Sequence, residues 1–438
     1  MQWTVSEIAT AVGGQVLSGD STTSVEGASI DSRSVGTGQL FVPIVAARDG
    51  HEFIPAALQA GAGAYLTSSG ADAGGTAIAV VDTAAALSAL GAAGRARLTG
   101  PVVGVTGSVG KTSTKDLLAA VLSTTLRTAA NERSFNNELG LPLTLLNAPD
   151  DTEAVVVEMG ARGVGHVADL CAIARPTVGI VTRVAGVHLE NFGSIEAVAQ
   201  AKGELIESLP ADGLAVLNAD DPRVAGMASR SAARVLTYGI EQPADVVAEN
   251  ISVDDELRAS FDLRAPWGTR PVTLGVRGEH QVGNALAAVA VAGGLGLPLD
   301  SIVVGLSGAS ISALRMELRR TESGAAVLND AYNANPTSMA AALRSLAALP
   351  AERRIAVLGV MAELGADGDQ EHAHITDLAT ELGIRVIAVD TPAYGSGATH
   401  VDGIDAAIAE VGAVGSGDAV LVKGSRVAAL ERVADALR

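Results

Sequence analysis

Cysteine is almost absent: Cys171 is the only one in 438 residues. That excludes an intrachain disulfide and fits a reducing compartment, so a cytoplasmic location is expected. Aromatic residues make up only 3% of the chain, so Ala, Val, Leu and Ile must fill its cores. No charge-free apolar run reaches about 18 residues, which argues against a membrane span. The opening residues, Met1-Gln2-Trp3-Thr4-Val5-Ser6-Glu7, have neither a basic flank nor an apolar core and do not read as a signal peptide. Positive charge is scarce too. The net charge of −19 makes the long-range field unfavourable for nucleic acid, so anionic substrates must be held by local cations and backbone groups. Among the cations, lysine is rare: 26 arginines stand against 4 lysines, at 111, 115, 202 and 423. A chain that uses Arg wherever a generic cation will do keeps Lys where the amine itself matters, because an ammonium can be desolvated, deprotonated or covalently modified. Chance survival is an acceptable reading for Lys115, and a poorer one for the other three.

Apolar residues are abundant, at 48%. A chain this long exceeds one compact domain, and the length suggests roughly three. The stretch from Val102 to Ser113 is the most informative. A short apolar strand, Val102-Val103-Gly104-Val105-Thr106, runs into Gly107-Ser108-Val109-Gly110, and Lys111-Thr112-Ser113 then opens a helix. Turn glycines let backbone N–H groups approach anionic oxygens, and the helix N-terminus adds unpaired donors. In such a cradle Lys111 reaches the β/γ-phosphates and Thr112 ligates Mg²⁺. Val105 stands where the longer form of the motif has glycine.

The remainder is expected to be α/β throughout. Residues 1 to about 98 read as a small module with a helix over 6–12 and a strand over 40–44. Asp31-Ser32-Arg33 within it is either a grip for a diphosphate or carboxylate, or a turn with a surface salt bridge. From 99 to 310 a parallel sheet surrounds the cradle, with antiparallel strands added between 246 and 276. Leu117, Leu118, Val121 and Leu122 form the apolar face of the cradle's helix. The β-branched strand 154–157 delivers Glu158 to the sheet edge where ligands bind. Asn136-Asn137 is a turn or a substrate loop. His188 follows a strand over 178–182, Lys202 lies on a helix over 194–209, and His280 and Asn284 share a helical face. Taken singly, Glu158, His188 and Lys202 also read as a strand-end carboxylate, a loop histidine and a solvated lysine. From 311 to 438 strands at 325–329, 354–359, 385–389 and 418–422 alternate with helices into a second, smaller doubly wound sheet. It lacks a phosphate loop of its own, so it is expected to close over the first sheet and bring another substrate.

Taken in order, these residues resemble the Mur ligases, the ATP-dependent amide-forming enzymes of peptidoglycan precursor synthesis. The resemblance runs through Thr106-Gly107-Ser108-Val109-Gly110-Lys111-Thr112, Glu158, His188, Ala201-Lys202-Gly203-Glu204, His280 with Asn284, Arg315, and Asn329-Asp330. Asn136-Asn137 before Gly140-Leu141-Pro142, Tyr332-Asn333-Ala334-Asn335-Pro336 and Lys423-Gly424-Ser425-Arg426 look like the member that adds D-alanyl-D-alanine to UDP-N-acetylmuramoyl-tripeptide. The resemblance implies three domains: a UDP-sugar module, a central P-loop-type ATP domain, and a Rossmann-like C-terminal domain for the incoming dipeptide. It implies ATP and two Mg²⁺ ions. Thr112 and Glu158 would hold one ion; Glu158, His188 and a carbamylated Lys202 would surround the other. Lys111, His188 and Lys202 are the expected catalytic residues. Residues 107–113 cradle the nucleotide, with His280 and Asn284 beside it, Arg315 on its phosphates, Asp330 on the ribose and Tyr332 near the adenine. Asp31, Ser32, Arg33, Asn136, Asn137, Asn333 and Asn335 fall to the other substrates, and the chain is expected to act as a monomer. It departs from the family's pattern at Leu314, where glycine is usual, at Ala46-Ala47 in a loop one residue short, and at Val360, where aspartate is usual. A different Mur step, a folylpolyglutamate-type ligase, or a nucleotide switch without synthetic chemistry are the alternatives.

Overall fold

A computed structural model describes residues 1–70, 73–131, 135–186 and 189–437. The strand Val102–Thr106 lies inside a nine-stranded sheet, with Ala154–Glu158 and Val178–Val181 parallel to it on either side. All three strands are buried along their length, because helices cover both faces of a parallel sheet and favour unbroken Val/Ile runs over alternation. The chain leaves Val102–Thr106, builds Thr128–Ala130 and Ala154–Glu158 on one side, then returns to Val178–Val181 on the other. Loops from the strand ends therefore diverge at this point and leave a crevice above it.

Leu214–Asn218, Arg234–Gly239 and Val246–Val253 continue the sheet in parallel, and the hairpin strands Arg258–Ala265 and Gly268–Arg277 close its edge antiparallel. The cradle's helix, Lys111–Leu122, buries the four predicted apolar residues, and also Thr112 to Lys115. It is enclosed because the Ala-rich helix Gln281–Gly294 and the helix Leu299–Gly308 pack across it. A Cβ on Gly305 would stand 2.5 Å from the Cα of Val121.

The C-terminal sheet has six strands. Ala326–Asn329, Asp418–Lys423, Arg353–Leu358 and Arg385–Val389 lie parallel in that spatial order, with Glu317–Arg320 added antiparallel at one edge and Thr399–Val401 parallel at the other. The two edge strands are additions to the sequence expectation; both are short and part-exposed, so their hydrophobic pattern is weak. In the N-terminal sheet the expected strand over 40–44 is only Leu40–Phe41. Pro43 has no N–H for the ladder, and Val42 makes the last bond, to Ser29 O at 2.9 Å. Among the described residues no helix is long and apolar enough to cross a membrane.

The N-terminal and central regions share one apolar cluster, running from Trp3, Leu87 and Leu90 to Leu141, Leu145 and Val157. Helix Thr83–Arg97 meets helix Gly140–Asn147 closely enough that a Cβ on Gly91 would stand 2.6 Å from Pro142 Cβ. Gly91→Val is therefore expected to force these helices apart and lower the denaturation midpoint, a cost of about 1–3 kcal/mol. An unchanged midpoint would mean that the close approach does not persist in solution.

Candidate active site

The cradle is built by two glycines whose geometry no other residue could supply. Gly107 (φ 144°) and Gly110 (φ 86°) hold conformations that favour glycine. A Cβ would stand 2.0 Å from Thr182 Oγ1 at the first and 2.5 Å from Asn284 Oδ1 at the second. Neighbouring loops pin the turn. Ser108 N donates to Arg183 O at 2.6 Å, Thr182 Oγ1 to Val109 O at 2.6 Å, and Ala185 N to Ser108 Oγ at 2.9 Å. Gly110 caps helix Lys111–Leu122 without a side-chain acceptor, so the first helical N–H groups stay available to an anion. Lys111 Nζ folds over the same loop, donating to Gly107 O at 2.6 Å. Burial holds its pKa below the ordinary lysine value; Glu158 opposes that shift and Arg315 reinforces it.

Glu158 ends its strand 2% exposed. Its Oε2 accepts from Thr112 Oγ1 at 2.7 Å and its Oε1 from Asn136 Nδ2 at 2.7 Å. Its backbone N donates to Asn131 Oδ1 at 2.8 Å, and Lys115 Nζ donates to the Asn131 carbonyl at 2.8 Å. Lys115 is thus a buried strut, and chance survival does not describe it. Asn131 escaped the sequence reading; its signal is position, a polar residue just past the C-terminal end of strand Thr128–Ala130. Among the described residues no three His, Cys, Asp or Glu side chains cluster as a metal site. A carboxylate and a hydroxyl do fit Mg²⁺, which takes few protein ligands and fills its octahedron with phosphate oxygens and water. His188 lies outside the described residues.

The segment Ala201-Lys202-Gly203-Glu204 sits on helix Ile195–Glu207, and its residues have separate tasks. Gly203 makes room for Arg230, whose Nη1 would stand 1.9 Å from a Cβ there. Glu204 caps helix His166–Ala174, accepting from Gly165 N at 2.6 Å and Ala168 N at 3.0 Å. Lys202 points into the cleft and is 2% exposed. Among the described residues its Nζ has no hydrogen-bond acceptor; the Phe192 ring lies 5.9 Å away. Burial, helped by the charge of Lys111, pulls its pKa down to about 7.

The C-terminal region reaches in through Arg315. Its Nη2 donates to Thr112 Oγ1 at 3.0 Å and its guanidinium lies over the Tyr332 ring, 4.3 Å from the centroid. Leu314 keeps the left-handed conformation that the usual glycine would favour (φ 61°), and Met316 matches it (φ 49°). Thr114 Oγ1 donates to Asn284 Oδ1 at 3.2 Å, and His280, on the cleft wall, is held below the usual imidazole pKa by desolvation. Asn335 lines the cleft and caps helix Pro336–Ala348, and Asn333 lines the cleft beside it. Asn136 and Asn137 both line it too, and Asn137 Oδ1 accepts from Gly140 N at 2.9 Å, closing the turn before that helix. The cleft has a volume of about 1060 Å³ and is lined by residues 107–113, Glu158 and Lys202 on one side and by Arg315, Asp330 and Tyr332 on the other. Asp31, Ser32 and Arg33 are not among its lining residues, although Ile30 is. Arg33 is 88% exposed and forks onto Asp31 at 2.8 and 2.9 Å, the surface salt bridge of the second reading.

A phosphate cradle, a carboxylate–hydroxyl pair and a buried lysine facing one cleft define an ATP-dependent ligase of the amide-forming kind. The Mur ligase middle domain matches residues 105–292, and the Mur ligase glutamate ligase domain matches 314–426. The chain belongs to the Mur ligase family. It is 40% identical to the UDP-N-acetylmuramoyl-tripeptide–D-alanyl-D-alanine ligase of Mycobacterium tuberculosis, over 100% of this chain and 98% of that one. Among solved structures it is similar to MurF of Acinetobacter baumannii, with a TM-score of 0.91, 30% identity, and 100% and 99% of the two chains covered. MurF of Thermotoga maritima in complex with ADP has a TM-score of 0.83 at 28% identity, over 94% of this chain and 96% of that one.

Asn131→Leu should leave the buried Glu158 N–H unpaired and let the carboxylate swing. The Mg²⁺ concentration for half-maximal activity is expected to rise about 10–100-fold. A titration unchanged from wild type would detach Asn131 from the metal site.

Proposed function

We propose that this chain joins D-alanyl-D-alanine to UDP-N-acetylmuramoyl-tripeptide, consuming ATP and releasing ADP and phosphate. The observation that carries this reading is a phosphate cradle opening on a cleft of about 1060 Å³, in a chain 40% identical to such a ligase over 98% of that ligase's length. A carboxylate is inert to amines at neutral pH, so the tripeptide's terminal carboxylate first takes the γ-phosphoryl group of ATP. The amine of the dipeptide then attacks the carbonyl carbon of the acyl phosphate. The C–N bond forms, the tetrahedral adduct expels phosphate, and the amine's proton leaves with a base.

The chain's part in the first step is electrostatic. Lys111 and Arg315 place positive charge where the transferring group becomes most anionic, and the helix N-terminus adds oriented N–H groups. Thr112 and Glu158 would hold Mg²⁺, which supplies further neutralising charge. Lys202 would serve a second ion as its carbamate, formed when the neutral amine adds to carbon dioxide. Burial, and the absence of an acceptor among the described residues, support this reading: an ordinary lysine is neutral in roughly one molecule in three thousand at pH 7, whereas a pKa of about 7 leaves about half neutral. The three regions divide the work as the sequence suggests, with the sugar nucleotide at 1–98, ATP at 99–310 and the dipeptide at 311–438. The single cysteine, buried and reduced, supports a cytoplasmic setting, and a monomer suffices because every group named is on one chain.

Phosphate release should be stimulated by D-Ala-D-Ala and not by single amino acids; stimulation by one amino acid alone would overturn the acceptor assignment. Lys202→Ala is expected to lose activity by about two orders of magnitude or more, with partial recovery on adding short-chain carboxylic acids. Wild-type activity without additive would remove Lys202 from the site. With ¹³C-bicarbonate, the wild-type carbamate signal should fade as pH drops below about 7, because protonation removes the reacting amine, and Lys202→Ala should show none.

A further inference from the structure

Lys423 is the lysine that the proposed chemistry leaves unused. It ends strand Asp418–Lys423 in the middle of the C-terminal sheet and is 2% exposed. Three oxygens surround its Nζ: Asp330 Oδ2 at 2.5 Å, Asn333 O at 2.9 Å and Asp330 O at 3.5 Å. They converge on one atom, which suits the tetrahedral donors of an ammonium. A planar guanidinium, with its nitrogens spread around a central carbon, cannot occupy the same point. That is a reason for lysine here in a chain that otherwise chooses arginine.

The carboxylate that Lys423 grips has a second task. Asp330 Oδ1 accepts from Met316 N at 3.1 Å, and two residues further on Tyr332 N donates to Leu314 O at 3.2 Å. These bonds hold the backbone on both sides of Arg315, at the two residues with left-handed φ. Without them L-residues would leave that conformation, which their Cβ atoms disfavour. Arg315 then stacks on Tyr332 and reaches Thr112 in the central domain.

We propose that Lys423 is a positioning residue: through Asp330 and the 330–333 loop it sets the 314–316 backbone, and so aims the Arg315 guanidinium at the nucleotide cradle. It stands on the cleft wall behind Asp330. The proposal rests on the assignment of Arg315 to the nucleotide, and is tested by nucleotide binding measured without acceptor substrates, so that it can fail while the ligase reading stands.

The experiment uses the full chain and measures ADP affinity by calorimetry, with KM for ATP, the tripeptide nucleotide and D-Ala-D-Ala. Lys423→Met is expected to weaken ADP binding and raise KM for ATP, each about tenfold, while KM for the other two substrates holds. Lys423→Arg should not restore affinity although it keeps the charge. Because Lys423→Met leaves a half-buried carboxylate unpaired and lowers stability by itself, the Lys423→Met/Asp330→Asn double variant removes that charge while keeping an acceptor for Met316 N. It should recover thermal stability yet bind ADP more weakly than Asp330→Asn alone, the comparison that cancels any ribose contact of Asp330 itself. Arg315→Ala should cost ADP affinity by a similar factor, and adding Lys423→Met to it should cost nothing more. Independent, multiplying effects would overturn the proposal, as would a Lys423→Met protein that loses stability yet binds ADP normally, or full rescue by arginine.

Discussion

One hydroxyl holds the parts of this site together. Thr112 Oγ1 donates to Glu158 and accepts from Arg315, so a helix start, a strand end and a segment of the C-terminal region meet at a single oxygen. A hydroxyl has one proton to give and two lone pairs, which allows both contacts and leaves one lone pair over. A carboxylate in that place would be repelled by Glu158, and an ammonium would have nothing to offer Arg315. Each partner is in turn fixed from behind: Glu158 by Asn131 and Lys115, and Arg315 by Asp330 and Tyr332. The precision required for phosphoryl transfer is thus reached by tying backbone to side chain on rigid elements, and needs no unusual residue.

The four lysines show how an acidic protein can run chemistry on anions. Lys111 lies on the phosphate loop, Lys115 props the carboxylate strand, Lys202 faces the cleft near the Phe192 ring, and Lys423 grips the loop behind Arg315. With a net charge of −19, the surface field does not draw substrates in. Positive charge is instead placed where burial strengthens it. The arginines mostly serve elsewhere, in exposed pairs such as Arg353–Asp418 and Arg270–Asp300, where geometry matters more than the ability to lose a proton or be modified.

Legibility in the sequence followed the range of the interactions. The central sheet was readable because buried parallel strands are written as unbroken apolar runs, and Val102 to Lys111 carries both its strand and its loop in adjacent residues. The tasks within Ala201-Lys202-Gly203-Glu204 were not readable, since Arg230 and the helix at 166 that explain Gly203 and Glu204 are distant in the chain. Asn131 was hard for the same reason: its partners, Glu158 and Lys115, come from a strand and a helix elsewhere in the chain. Short edge strands such as Glu317–Arg320 have too few residues for a period to emerge, and Pro43 cut short a strand that composition favoured. For Asp31-Ser32-Arg33 the sequence left two readings, and the fork between Asp31 and Arg33 follows the local one.

Leu314 gives the most instructive departure from the family's pattern. Glycine would adopt its left-handed backbone freely, yet here a leucine and, two residues later, a methionine both do so. Nothing in the residues themselves favours that conformation; it persists because the segment is pinned on both sides. Asp116 accepts from Ser312 N and Ser312 Oγ, each at 2.8 Å, on the central-domain side, and Asp330 accepts from Met316 N on the other. Glycine at 314 would relieve strain and at the same time widen the range of backbone angles open to the chain before Arg315. A leucine there narrows that range, so the guanidinium depends on the two anchors and has little freedom of its own. The strain is the means by which a connection between two sheets becomes a fixed arm.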